Sequence, residues 1–287
     1  IGINIVNLAN NHIFDYGHGG FRLTKETLEE NDIAYFGVEG KKVKIELDGN
    51  RIVFSGYCCF STNPVGIGGN GINGLIYSEV KSSIINCHKE GYNNILSIHA
   101  GQEHINYPNY DHISFARGLT EFAPYVYYGH HPHVLQGVEK INDSIIAYSL
   151  GNFCFDDVYT EKSEKPLIQQ NDNNKSSVIL ILEYKNNKLV SHNCIPIFQG
   201  KERLIVDKVE ILNDLSTYTK ILNLEKPKYI CMRNALFENY IQSRKLLRNF
   251  QWYWNRMNMN SLFMIISSKK NKRKYIRKFK KYLQTSS

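Results

Sequence analysis

The chain has 287 residues, 42% apolar and 12% aromatic, which supports one large domain or a domain with an appendage and excludes a disordered chain. No apolar run approaches the ~20 residues that span a bilayer. The net charge of +8 is local: residues 269–281 hold nine Lys and Arg and no acid, and without them 26 bases of the 35 face 27 acids, so the body is near neutral and its pI argues nothing for nucleic acid.

Residues 3–8 read as a buried strand, followed by a polar loop and, over 20–28, apolar spacing of helical period. Residues 33–38 return as a strand. Residues 43–47 and 52–57 flank Asp48-Gly49-Asn50, a hairpin turn signal. Residues 64–74 contain five glycines and read as a loop near the site. An amphipathic helix is expected over 77–90, a strand over 94–98, a helix over 112–122 ended by Pro124, and a strand over 125–128. Residues 134–138 and 144–149 suggest a second hairpin around Asn142-Asp143. Residues 178–184 and 189–197 suggest a third around Lys185-Asn186-Asn187-Lys188. Alternating β and α followed by hairpins predicts the α/β class, a sheet sandwich with helices on its outer faces.

From about residue 204 the chain becomes helical, aromatic and polar. Its last stretch places Tyr275, Ile276, Phe279, Tyr282 and Leu283 at helical spacing among Lys and Arg, a basic amphipathic helix. The six cysteines show no CxxC spacing, and adjacent Cys58 and Cys59 make a poor chelate and a strained disulfide. All six read as buried apolar fillers in a reducing compartment.

Three histidine-bearing segments follow apolar runs: Ala9-Asn10-Asn11-His12, Ser97-Ile98-His99-Ala100-Gly101 and Gly129-His130-His131-Pro132-His133. A buried strand reads this way just before it delivers a polar side chain to a sheet edge. Two imidazoles one residue apart fall on the same side of an extended backbone, and Pro132 stiffens that segment. His99 comes from another strand end, Asn11 is a neutral oxygen donor, and His12 is a ligand or a general acid toward a leaving oxygen. Two metals ~3.5 to 4 Å apart with a hydroxide nucleophile are one chemistry such donors support. Histidine alone is more often a surface or core residue, which is the reading for His18, His88, His104, His112 and His192. His130 is the weakest of its trio.

These segments recur within longer strings: Asn7-Leu8-Ala9-Asn10-Asn11-His12-Ile13-Phe14-Asp15-Tyr16-Gly17, His99-Ala100-Gly101-Gln102-Glu103, Gly129-His130-His131-Pro132-His133-Val134-Leu135-Gln136 and Tyr148-Ser149-Leu150-Gly151-Asn152-Phe153-Cys154-Phe155-Asp156. In this order, over residues 1–199, they resemble the LANNHxxDyG, HWGxE, GxHPHVxQ and YSLGNFxFD segments of the CapA family of bacterial capsule-biosynthesis proteins, associated with poly-γ-glutamate. The resemblance implies a calcineurin-like metallophosphoesterase fold, a β-sandwich flanked by helices over residues 1–203. A helical extension over 204–287 would carry the basic tail. It further implies Asn11, His99, His131 and His133 as metal ligands and His12 as the catalytic group beside the reacting oxygen. Divalent ions of Mn, Fe or Zn type are implied, two in the full-length protein. Asp15 and Glu103 are either groups that orient the ligands or ordinary surface carboxylates. Asn152 and Asp156 either brace the site or are turn residues.

Two departures stand out. The family's acidic GD and NLE segments are absent, so the chain is expected to be N-terminally truncated, with an anchor upstream left open. Ala100 also stands where the family has Trp. The implied function is capsule polysaccharide or poly-γ-glutamate biosynthesis through metal-dependent hydrolysis of a phosphoester or capsule polymer. The alternative is a non-catalytic component of polymer synthesis or export. Expected partners are an anionic polymer or phosphoester. Residues 269–281 read first as a solvated, partly disordered basic terminus and second as an interfacial helix giving 269–283 peripheral contact with anionic lipid, and no reader motif points to nucleic acid. Cytoplasmic or inner-membrane peripheral localisation follows.

Overall fold

The chain opens with β1 (Ile5–Asn7) and β2 (Ala34–Phe36), a parallel pair joined through helix α1 (Gly17–Glu30). Parallel strands need a crossover of a dozen or more residues, and α1 supplies it. Phe21 of α1 packs with Leu8, Phe14, Tyr35 and Val38 in a small core of its own. The computed structural model describes residues 2–62, 71–160, 163–206, 208–246 and 280–284.

A six-stranded sheet follows, in the order β3-β4-β5-β6-β8-β7. Its strands are β3 (Val43–Leu47), β4 (Asn50–Cys58), β5 (Asn93–His99), β6 (Tyr125–His130), β7 (Val138–Ile141) and β8 (Ser144–Ala147). Strands β4, β5, β6 and β8 run parallel, and antiparallel β3 and β7 form the edges. The nearly unbroken burial of β5 and β8 belongs to strands covered on both faces. On one face α2 (Tyr77–Lys89) and α3 (Tyr110–Leu119) cover Leu96, Ile98, Tyr127 and Ile146. On the other, Ile95, Val126 and Ile145 meet Leu180, Leu182 and Leu189 of a second sheet.

Beyond the short pair β9 (Val158–Thr160) and β10 (Ser163–Ile168) and the single turn α4 (Asp172–Lys175) lies that second sheet. It is the long hairpin β11 (Ser176–Lys185) and β12 (Lys188–Gln199), with β13 (Leu204–Val206) added to β12. Helices α5 (Val209–Ile221) and α6 (Lys226–Leu246) complete the described fold. Ile211 and Leu215 of α5 pack on Leu135 and Val178, while Leu222 and Tyr229 enter the main core. The result is the expected mixed α/β sandwich with outer helices and a C-terminal helix, in keeping with a metallophosphoesterase-like fold.

Several particulars differ from the sequence expectations. The strand expected over 134–138 begins only at Val138. Val134 and Leu135 are apolar because they plug the core from a loop, at 0% and 1% exposure, and not because they pair. The expected division at 203/204 falls just before β13, which hydrogen-bonds to β12. Only Cys58, Cys59 and Cys87 are buried; Cys154 and Cys231 are exposed, and all six are free thiols. Residues 64–70 of the glycine-rich loop and 269–279 of the basic tail lie outside the described residues. Within the tail's described part, Leu283 is buried in the main core and Tyr282 packs on Phe60. Among the described residues no helix is long and apolar enough to cross a membrane.

Candidate metal centre

The period of two along β5 puts Ile95, Ser97 and His99 on the face toward the second sheet and Leu96 and Ile98 on the face toward the helices. Parallel register pairs His99 with His130 and Ser97 with Tyr128, so both imidazoles leave the sheet on the same side. Their Nδ1 atoms lie 2.9 Å apart. Beyond β6 the backbone does not stay extended, as His-Pro-His spacing suggested. His131 and His133 have φ of 98° and 59°, in the left-handed region. Non-glycine residues are held there at a cost of order 1 kcal/mol or more, and such positions cluster at functional sites. Two reversals around buried Pro132, and not an extended strand, bring the rings together: His131 lies 4.6 Å from His99 and 6.2 Å from His133, centroid to centroid.

Glu103, His131 and His133 place one potential ligand atom each within 4.8 Å of one another. Glu103, read from sequence as a group behind the imidazoles, therefore stands in the cluster itself. Beside it, His99 Nε2 and Asn11 Oδ1 are 2.8 Å apart. This is a hydrogen-bond distance, and it is close to the ~3 Å between neighbouring ligands of one ion with bonds of about 2.1 Å. Asn152 Oδ1 lies 2.9 Å from His133 Nδ1. If that nitrogen donates, Nε2 of His133 keeps its lone pair, the arrangement a carbonyl or carboxylate behind a ligating histidine produces. The Asn152 amide nitrogen is buried with no hydrogen-bond partner among the described residues. His12 is exposed at the rim, its Nδ1 2.7 Å from Asp15 Oδ2, so Asp15 orients His12 rather than a buried ligand.

Electrostatics suit cation binding. Burial first, and neighbouring imidazoles second, push His131 down to about 3 and His99 lower still. Burial and His133 take His130 to about 4. Neutral rings keep the lone pairs that a metal requires. Glu103 adds a hard anionic oxygen, and the mixed N/O set fits a borderline divalent ion. These residues fit the expected metal.

Buried neutral histidines also set an acid limit. His112, at 4% exposure and held by burial to about 4, takes up a proton in the unfolded chain near pH 6.5 but in the folded chain only near pH 4. The unfolded state therefore binds more protons in that window, and stability falls as pH falls. His112 alone is expected to withdraw on the order of 3 kcal/mol between about pH 6.5 and 4. Urea unfolding at a series of pH values measures this, and a flat profile over that range would contradict it.

Sequence reasoning underrated several residues. His130, the weakest of its trio by spacing, lies directly behind His99. His104, read as ordinary, stacks 6.2 Å from His133 and shares Asn174 with it: Asn174 Nδ2 donates to the His133 carbonyl and lies 2.9 Å from His104 Nδ1. Asn7 and Ser97, which reach His130, carried one signal only: polar residues inside apolar strands. Helix α6 contributes Tyr240, whose ring is 5.7 Å from that of His104, and Arg233, which hydrogen-bonds Gln102 Oε1.

A family model described as "Bacterial capsule synthesis protein PGA_cap" matches residues 1–157, more than half of the chain. The chain belongs to the PGA_cap family. The match includes Asn11, His99, Glu103, His131, His133 and Asn152, and it ends before the hairpin sheet and α6. Among curated proteins, this PGA_cap chain is 28% identical over 195 residues to "Capsule biosynthesis protein CapA" of Bacillus anthracis, covering 62% of this chain and 46% of that protein. It is 30% identical over 175 residues to "PGA biosynthesis protein CapA" of Bacillus subtilis (strain 168), covering 58% and 46%. The chain thus spans about half the length of the curated relatives it matches.

Proposed function

We propose that this PGA_cap protein serves in building the bacterial capsule, as a metal-dependent hydrolase acting on a phosphoester or on the anionic capsule polymer. The reading is carried by the convergence of Glu103, His131 and His133 beside the His99–Asn11 pair, on a chain whose relatives are named for capsule synthesis. Asn11, His99, Glu103, His131 and His133 would hold the ions, with Asn152 fixing the ring of His133. A divalent ion there supplies Lewis-acid polarisation of a phosphoryl or carbonyl oxygen and makes water nucleophilic at neutral pH. The chain's own residues provide the rest. Asp15 accepts from His12 Nδ1 and steadies the doubly protonated ring, whose Nε2–H at the rim hands a proton to a leaving oxygen and leaves His12 neutral. Neutral His99 and His131 add no charge that would repel a cation.

Metal analysis of the purified protein, joined to hydrolysis assays on a generic phosphoester and on poly-γ-glutamate, tests the reading. Divalent metal is expected to co-purify, and His131→Ala is expected to lower both metal content and turnover at least 100-fold, since it removes a ligand. A metal-free wild type without turnover would overturn the proposal. Metal retained with no hydrolysis of either substrate would instead favour a role in polymer synthesis or export.

A further inference from the structure

Asn7, the last residue of β1, is the fixed end of a chain of side-chain hydrogen bonds behind His99. Its Oδ1 accepts the Ala9 N–H at 2.8 Å. The amide sits in a slot walled by two glycines. A β-carbon on Gly56 would fall 2.8 Å from Asn7 Cγ, and one on Gly37 would fall 2.7 Å from the Ala9 side chain. Turning the amide over would set its NH2 against the Ala9 N–H, so Nδ2 must face inward. There it meets Ser97 Oγ at 2.8 Å and His130 Nε2 at 3.2 Å.

An amide nitrogen only donates. His130 Nε2 therefore accepts, and the ring proton of neutral His130 resides on Nδ1. That N–H donates to His99 Nδ1 at 2.9 Å. His99 in turn carries its proton on Nε2 and donates it to Asn11 Oδ1 at 2.8 Å. Nε2 is the nitrogen of His99 that faces the site. With a proton on it, His99 has no lone pair to offer there.

We infer that Ser97 and His130 form a reversible hydrogen-bond switch that decides which nitrogen of His99 is free, and hence whether His99 can hold a cation. The inference rests on the metal centre proposed above. For His99 Nε2 to ligate, the proton on His130 Nδ1 crosses to His99 Nδ1. The proton on His99 Nε2 leaves by the open side of the site, and one returns through water to His130 Nε2. Both rings stay neutral and the pair releases no net proton.

In that second state His130 Nε2–H needs an acceptor where Asn7 offers only a donor. Ser97 Oγ, 3.0 Å away, is that acceptor. A hydroxyl donates in one state and accepts in the other, so Ser97 is the pivot and Asn7 the bias toward the cation-free state. Ser97 is fully buried, and water cannot easily replace it. Leaving a buried N–H unpaired is strongly unfavourable.

Ser97→Ala removes the pivot while the Asn7–His130 bond of the cation-free state remains. Manganese binding measured by calorimetry on the whole chain is expected to weaken 10- to 100-fold in this variant. Nitrogen-15 spectra of the imidazoles give an independent reading. Metal-free wild type is expected to show His99 protonated at Nε2 and His130 at Nδ1, and both assignments are expected to reverse on adding zinc, whose diamagnetism keeps the ligand resonances readable. Wild-type affinity in Ser97→Ala, or metal-free His99 protonated at Nδ1, would overturn the switch while leaving the metal centre intact. A wild type that binds no manganese would overturn the centre itself, and with it the purpose of the switch.

Discussion

Tyr229→Ala is expected to destabilise the protein by about 3 to 5 kcal/mol, the cost of emptying a large aromatic site in a packed core. Tyr229 is fully buried on α6, and its hydroxyl donates to the Pro108 carbonyl at 2.8 Å, tying the helix to the start of α3. Tyr229→Phe keeps the volume and loses only that bond, so about 1 kcal/mol is expected. Urea unfolding of the two variants separates packing from hydrogen bonding. A Tyr229→Ala protein within 1 kcal/mol of wild type would mean that α6 merely rests on the surface. The same helix places Arg233 under Gln102 and Tyr240 beside His104, so loosening it should also be felt at the histidine cluster.

Gly129→Ala is the second large effect. Gly129 pairs with Ile98 one position before His130, and a β-carbon there would lie 2.7 Å from the Tyr148 carbonyl carbon, nearer still to its oxygen. The obstacle is backbone of the segment after β8, which has no rotamer to yield. Overpacking of this kind costs about 1 to 3 kcal/mol and sometimes more. The shift falls on the residues that deliver His130 and His131, so manganese affinity should drop together with thermal stability. Both unchanged would show that the strands separate freely at this point.

How much of this was legible beforehand depends on what each residue's pattern reports. Apolar runs before Asn11, His99 and His131 marked true strands β1, β5 and β6; for β5 and β6 the reason is cover on both faces, while β1 is a half-buried strand of a two-stranded pair. The same logic misled at Val134 and Leu135, since a buried loop is as apolar as a strand. The ligand-type residues were legible as types in order. Their arrangement was not: the turns at His131 and His133 are left-handed, and spacing alone cannot report φ. Glu103 could be named but not placed, because its position depends on how the loop after β5 folds over Pro132. His130, Asn7 and Ser97 were invisible as a group, since their relation is one of register between β5 and β6 and of β1 lying beside them. Helix α6 reached the site from far along the chain, and nothing local in its sequence announces His104 as a neighbour.

The left-handed backbone at His131 and His133 sets stability and chemistry against each other at two positions. Glycine or asparagine would occupy those dihedrals with less strain. A redesign guided by stability alone would therefore choose them there and gain about 1 kcal/mol at each, the scale of a relieved left-handed residue. It would also delete both histidines that converge with Glu103. Histidine at such angles is thus a mark of use, written in the backbone rather than in composition, and it directs mutagenesis to the places where the fold tolerates what it does not prefer.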